Sequence, residues 1–356
     1  MSLVSVRKGE EFAGSIFLTG PFANYRSYFA AIQCLTRARF SADDLRSWSS
    51  GASFPTLPSA RSLEVFLKLR RHPRLKADGY GWRTRPVQGD FNATNDKKHL
   101  ELDPSDTDGF WPVYKGASFN LWQPDTGTYY ARANPNHVTA VLQDKRLRQS
   151  RQARSAFSEF DAAYVADPDT LPCCHLRIAF RDVARATDSR TVIAALLPPE
   201  IVITHQAPYL LWPEGDQRDE AYLLGVLCSI PLDWYARRVV ETHVNFHIFN
   251  GFPIPRPGRD DPLRRRVEEI AGRLAAVDDR YEAWAEAVGV PVGSVGEDEK
   301  PDLIAQLDAG VALLYGLDES DVRHIFETFH AGWDHGARLE RVLNHYHDLS
   351  SPAVAR

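Results

Sequence analysis

The sequence predicts an α+β fold: strands and hairpins beside packed helices, with a C-terminal helical subdomain. Three observations lead there. Residues 77–135 are short aromatic and β-branched runs between Gly and Pro punctuation, the pattern of strands and hairpins. The stretch AYLLGVLCSIPLDWYARRVV repeats apolar residues at helical spacing. Beyond the breaker Pro257-Gly258-Arg259-Asp260-Asp261-Pro262, Leu303, Ile304, Leu307, Val311, Leu314 and Leu317 keep that spacing too.

Composition sets the class. At 356 residues the chain has room for two domains, and 44% hydrophobic with 25% charged residues suits an ordinary globular protein. No apolar run reaches the roughly 18 residues of a membrane span, so no membrane is expected as partner. The opening MSLVSVRKGEEF lacks a secretory layout, and its first three residues read as an expression scar. Cys34, Cys173, Cys174 and Cys228 form no CxxC pair, which fits a reducing cytoplasm. The net charge of −5 hides an asymmetry: residues 1–154 carry 23 Lys and Arg against 14 Asp and Glu. The remaining 202 residues carry 19 against 33. An acidic chain with a basic front half can still bind a polyanion if those cations share a face.

Taken in order, residues 1–76 are aromatic- and arginine-rich, and Ser59 is placed to cap a short helix beginning ARSLEVF. Arg70, Arg71, Arg74 and Lys76 follow, where cations favour a helix C-terminus. In residues 77–135, Tyr129 and Tyr130 read as strand aromatics that belong to the core or stack on extruded bases. Residues 136–165 read as helix. There Lys145, Arg146, Arg148, Arg151 and Arg154 meet no acid after Asp144, and Arg148 and Arg151 share one face. Such density suits a phosphate backbone, or a solvated helix face. Next, Arg177, Arg181, Arg185 and Arg190 punctuate apolar runs leading into VIAALLP, which reads as strand. After the helical stretch, HVNFHIFNGFPIPRP alternates like a strand that ends at Pro253 and Pro255. In the helical tail, Asp318 is placed to cap a further helix.

These residues also form an extended, ordered pattern. R-x-V-A-R-x-T-x-x-R-T-x-I-A-A-L-L-P is followed by a leucine-rich helix ending D-W, then V-N-F-x-I-x-x-x-x-P-I-P. Before it stand P-x-L-P-S-x-R-S and P-V-Y-K-G-x-x-F, and after it D-A-x-V-x-x-L-Y-G-L. Together they resemble the target-recognition region of large adenine-specific DNA methyltransferases, the type IIG restriction–modification proteins and related phage-defence methylases. The resemblance implies a segment following a methyltransferase core at 1–76, a DNA target-recognition domain at 77–257 and a helical tail at 258–356. It implies double-stranded DNA as partner, with Lys115, Lys145, Arg148, Arg151, Arg177, Arg181, Arg185 and Arg190 as DNA-binding candidates. A methyltransferase core in cis or in trans is the other implied partner.

Catalytic chemistry is not expected from this chain. The methyltransferase chemistry needs a Gly-rich loop for S-adenosylmethionine and an (N/D/S)-P-P-(Y/F/W) motif around a flipped base. Asn134-Pro135-Asn136-His137 lacks the second proline and the aromatic. The cofactor is therefore expected in the parent enzyme and not here. His324, His330, His335, His345 and His347 crowd the tail without H-E-x-x-H, and read as helix-surface histidines. Asp298-Glu299-Lys300 matches the short nuclease triplet in an acidic loop where it arises by chance. The competing class is a non-catalytic protein-interaction module whose acidic tail is the working surface.

Overall fold

Short polar side chains set most helix starts, because the first backbone N–H groups of a helix have no partner within it. The computed structural model describes residues 15–18, 26, 38–41, 55, 57, 59–102, 108–184, 188–330 and 332–351. Strands β1 (Ser15–Leu18) and β2 (Ala38–Ser41) form an antiparallel pair. Helix α1 (Ala60–Arg70) opens behind Ser59, whose side chain accepts from Ser62 N as expected. Strands β3 (Arg83–Val87), β4 (Trp111–Tyr114) and β5 (Ala131–Ala133) precede α2 (Pro135–Ser150), which Asn134 caps with Pro135 in the first turn. Helix α3 (Ala162–Ala166) is capped by Asp161.

Strands β6 (Arg177–Phe180), β7 (Ala194–Leu197), β8 (Val202–Ile203) and β9 (Tyr209–Glu214) come next. Then follow α4 (Gln217–Cys228), α5 (Ile230–Val239) and the short α6 (Phe246–Phe249), capped by Asp216, Ser229 and Asn245. The C-terminal helices are α7 (Pro262–Ala275), α8 (Glu282–Val288), α9 (Lys300–Leu314), α10 (Glu319–Glu327) and α11 (Gly336–Ser350). Asp318 caps α10 in a reciprocal box with Asp321, again as expected.

The strands lie in two further small sheets, ordered β3-β9-β6-β7 and β5-β4-β8, so the mixed α+β class holds. The four-stranded sheet is antiparallel throughout, and its strands β6 and β7 are buried on both faces. Ile178, Phe180, Ala194, Leu196 and Leu210 point into the main helical core. Ala179, Ala195, Leu197, Tyr209 and Leu211 point the other way, into a second cluster. Two buried faces explain why IAF and AALL read as unbroken apolar runs.

Three expected elements differ. The long apolar helix is two: Pro231 has no N–H, Ser229 ends α4 and caps α5, and Ile230 N is taken by Asp308 Oδ1 at 2.8 Å. The helix expected over 136–165 stops at Ser150, because Ser155 and Asp161 each draw the backbone into a new short turn. The strand expected after Val240 contains α6 instead, started by the Asn245 side chain on Ile248 N at 3.1 Å. The Pro253–Pro255 segment beyond it makes one bridge, to Arg74.

A single apolar cluster joins Phe66 of α1, Phe180 of β6, Leu223 of α4, Trp234 of α5, Ile270 of α7, Leu307 of α9 and Leu343 of α11. The breaker at 257–262 therefore interrupts the chain and not the core. Gly225 is where α4 meets α7 and α9. A Cβ there would stand 2.8 Å from Val267 Cγ1 and 3.1 Å from the Ala271 Cβ, which no rotamer change can move. Helix propensity favours Ala by about 1 kcal/mol, but overpacking of this kind costs roughly 1–3 kcal/mol. Gly225→Ala is expected to lower the denaturation midpoint. An unchanged or higher midpoint would show that the helices separate freely.

Candidate nucleic-acid interface

The candidate arginines divide by what they touch. Arg177 is 3% exposed: Nη1 and Nη2 donate to Asp90 at 3.1 and 2.9 Å, and Nη2 also to Ile201 O at 2.9 Å. Its guanidinium lies 4.5 Å from the centre of the Tyr209 ring. Asp90 also accepts from Ile203 N at 2.8 Å, so one ion pair ties β6, β8 and the loop after β3. Arg190 donates to Asp233 and to the carbonyls of Cys228 and Ser229. Arg181 donates to Phe119 O. Arg185 lies outside the described residues. Arg177 and Arg190 therefore differ from the expectation of phosphate contact, because their donors are spent on buried carboxylates and carbonyls that need a partner away from water.

The cations of α2 divide the same way. Lys145 donates to Asp90 O and sits over the Phe91 ring at 5.7 Å. Arg146 is buried, donating to Thr170 Oγ1 at 2.8 Å, Asp167 O at 2.6 Å and Gln143. Val138, Leu142 and Arg146 form the inner face of the helix. Opposite them runs an exposed stripe at spacings of three and four: His137, Ala140, Asp144, Arg148 and Arg151. Arg148, Arg151 and Arg154 are exposed and have no ion-pair or hydrogen-bond partner among the described residues.

Loops bring further polar groups to the start of α2. Gly89 has φ +123°, and a Cβ there would meet Thr204 O at 2.7 Å, so the chain passes close to the 204–206 turn only because this residue is glycine. His205 N then donates to Phe91 O at 2.9 Å, and Thr204 N to Tyr114 O at 2.9 Å. Lys115, half-exposed, follows Tyr114 directly. The exposed Lys97 and Lys98 lead to His99, whose Nδ1 is 2.9 Å from His137 Nε2. The side-chain amides of Asn95 and Gln206 are exposed, with no hydrogen bond among the described residues. Apart from Lys115, the sequence reading did not single out these loop residues. Its one signal was the turn Thr94-Asn95-Asp96 running straight into two lysines.

Other candidates are placed elsewhere. Tyr129 donates to Asp125 at 2.9 Å and stacks on Tyr114, while Tyr130 donates to Ala93 O at 2.8 Å. Lys300 of the short nuclease triplet donates to Trp122 O at 3.3 Å. His345 and His347 each face one carboxylate, and no group of three potential metal ligands occurs among the described residues. Cys173, Cys174 and Cys228 are unpaired thiols, and Cys34 lies outside the described residues. No helix among the described residues is long and apolar enough to cross a membrane.

No family model and no curated protein matches this chain. Among solved structures it is similar to the type IIG restriction endonuclease BpuSI, at 11% identity and a TM-score of 0.34, over 80% of this chain and 36% of that one. It is also similar to the type IIL restriction–modification enzyme MmeI, solved in complex with DNA. There the identity is 13% and the TM-score 0.31, over 68% of this chain and 33% of that one. The chain thus spans about a third of either enzyme. Likeness at this level decides nothing about function.

The Asp90–Arg177 pair has a measurable consequence. Arg177→Met leaves a carboxylate buried without its partner, a change that costs roughly 3–5 kcal/mol. Adding Asp90→Asn to that variant should recover part of the loss in a urea titration. If Arg177→Met unfolds at the wild-type midpoint, the pair does not hold these elements together.

Proposed function

We propose that this chain recognises DNA sequence for an adenine-specific DNA methyltransferase of a restriction–modification or phage-defence system. The catalytic core and its S-adenosylmethionine would lie outside this sequence, in cis or in trans. One observation supports this most: Arg148, Arg151 and Arg154 stand exposed at the end of α2 with no ion-pair or hydrogen-bond partner among the described residues, and no acid follows Asp144 on that helix. Three such cations repel one another, and a phosphate backbone relieves that repulsion while releasing counterions. From His137 to Arg148 the helix rises roughly 16 Å at 1.5 Å per residue, about five base-pair steps at 3.4 Å each.

In this reading α2 positions the protein on the backbone, and the adjacent loops read bases. Asn95 and Gln206 are the side chains suited to it, since Asn and Gln pair bidentately with adenine in the major groove. Lys97, Lys98, Lys115 and the three arginines supply the phosphate contacts. Arg177 and Arg190 belong to the scaffold that holds the loops.

The test needs a cognate duplex, obtained by selection from a random pool, and an unrelated duplex. Arg148→Ala with Arg151→Ala should weaken both complexes alike and flatten the slope of log K against log salt by about 0.9 per contact. Asn95→Ala or Gln206→Ala should cost roughly 1–3 kcal/mol on the cognate duplex only. Absence of any salt-dependent duplex binding by the wild-type chain would refute the proposal. Transfer of labelled methyl groups to DNA by this chain in isolation would refute the external core.

A further inference from the structure

We propose that His99 and His137, with Lys97 and Lys98 beside them, form a proton-linked phosphodiester site on the DNA face. This rests on the reading of that face as a DNA surface, and adds a ligand contact made by histidines. Their facing nitrogens are 2.9 Å apart and their ring centres 5.1 Å apart. A hydrogen bond between two imidazoles uses one N–H and one lone pair. A second proton on the accepting nitrogen breaks that bond and leaves two N–H donors aimed at the same space. An oxygen of a phosphodiester placed there accepts from both.

The surroundings favour an anion over a metal. Two neutral imidazoles alone do not make a transition-metal site, which wants further ligands. No group of three potential metal ligands exists among the described residues. The charges nearby are mostly positive: Lys97 and Lys98 precede His99, and Lys145 lies across the Phe91 ring on which His99 stacks. Asp96 is the acid on the same segment, and its carboxylate already accepts from Asn92 N at 2.7 Å. Glu101 bridges to Arg132 through backbone bonds, and Asp144 lies two turns along α2 from His137.

Protonation then follows a definite sign. Burial, then His137 and Lys98, hold the His99 imidazolium below its ordinary range, with Asp96 opposing. Holding His99 neutral in this way keeps the hydrogen bond to His137 in the absence of an anion. An arriving phosphate supplies the opposite charge and favours the doubly protonated pair. Complex formation takes up protons, so affinity must rise as pH falls through the ordinary histidine range near about 6.5.

The test is duplex affinity between pH 8 and pH 6 at constant ionic strength, beside imidazole titrations by NMR. Wild type should tighten up to about tenfold per pH unit for each proton taken up. His137→Gln and His99→Gln should lose most of that dependence, and Lys98→Gln should weaken binding at every pH. Adding duplex should raise the titration midpoints of both histidines. Salt-dependent duplex binding with the same pH profile in wild type and both histidine variants overturns the histidine site and leaves the DNA face standing. Loss of salt-dependent binding at every pH overturns both. Inorganic phosphate raising the midpoints as far as duplex does assigns the site to free phosphate and overturns the DNA contact.

Discussion

Buried aspartates govern how this chain spends its cations. Asp90, Asp219, Asp233, Asp308 and Asp321 are all buried, and each holds at least one guanidinium or ammonium. Asp233 binds Arg190 and the N–H groups of Thr191 and Val192, fixing the entry to β7. Asp219 binds Arg259 and Arg264, joining α4 to α7. Asp321 binds Arg61 and Lys68, joining α10 to α1. A carboxylate taken out of water needs such partners, and removing one leaves a charge that costs several kcal/mol.

That constraint separates scaffold from surface. The acidic excess after residue 154 is not simply a solvated acidic surface, since part of it lies inside and consumes arginines. Arg148, Arg151 and Arg154 on α2 and Lys97 and Lys98 on a loop at its start remain outside without an ion pair among the described residues. The four-stranded sheet makes this possible: β6 carries Arg177 to Asp90, which fixes the loop after β3, and that loop presents Asn95, Lys97 and Lys98 beside His137. An internal ion pair thus determines where the exposed cations stand.

Much of the local structure was legible in the sequence. Ser59 and Asp318 cap helices because a short acceptor before an amphipathic run has one favourable use. The leucines from 303 to 317 keep α9 and its exit in register with the core. The fate of the arginines was not legible, since Arg177 finds its acid 87 positions away and Arg190 finds Asp233 at 43. In RIAF the arginine looks like a surface residue until its strand is seen to be covered on both faces. The break at Ser229-Ile230-Pro231 was visible in principle, but the apolar run on either side masked it. Asn95 lay in a legible turn, but Gln206 carried no sequence signal, because the two loops become neighbours only through the close approach at Gly89.

The division of the arginines into internal ties and free surface groups is the central claim, and chemical modification reads it directly. Phenylglyoxal labelling followed by mass spectrometry, with and without duplex DNA, reports each guanidinium separately. Arg148, Arg151 and Arg154 should react readily in the free protein and become protected by duplex, while Arg177 and Arg190 stay unreactive in both samples. Ready labelling of Arg177 or Arg190 in the folded protein, or no protection of the three α2 arginines by a duplex that binds, would contradict the account.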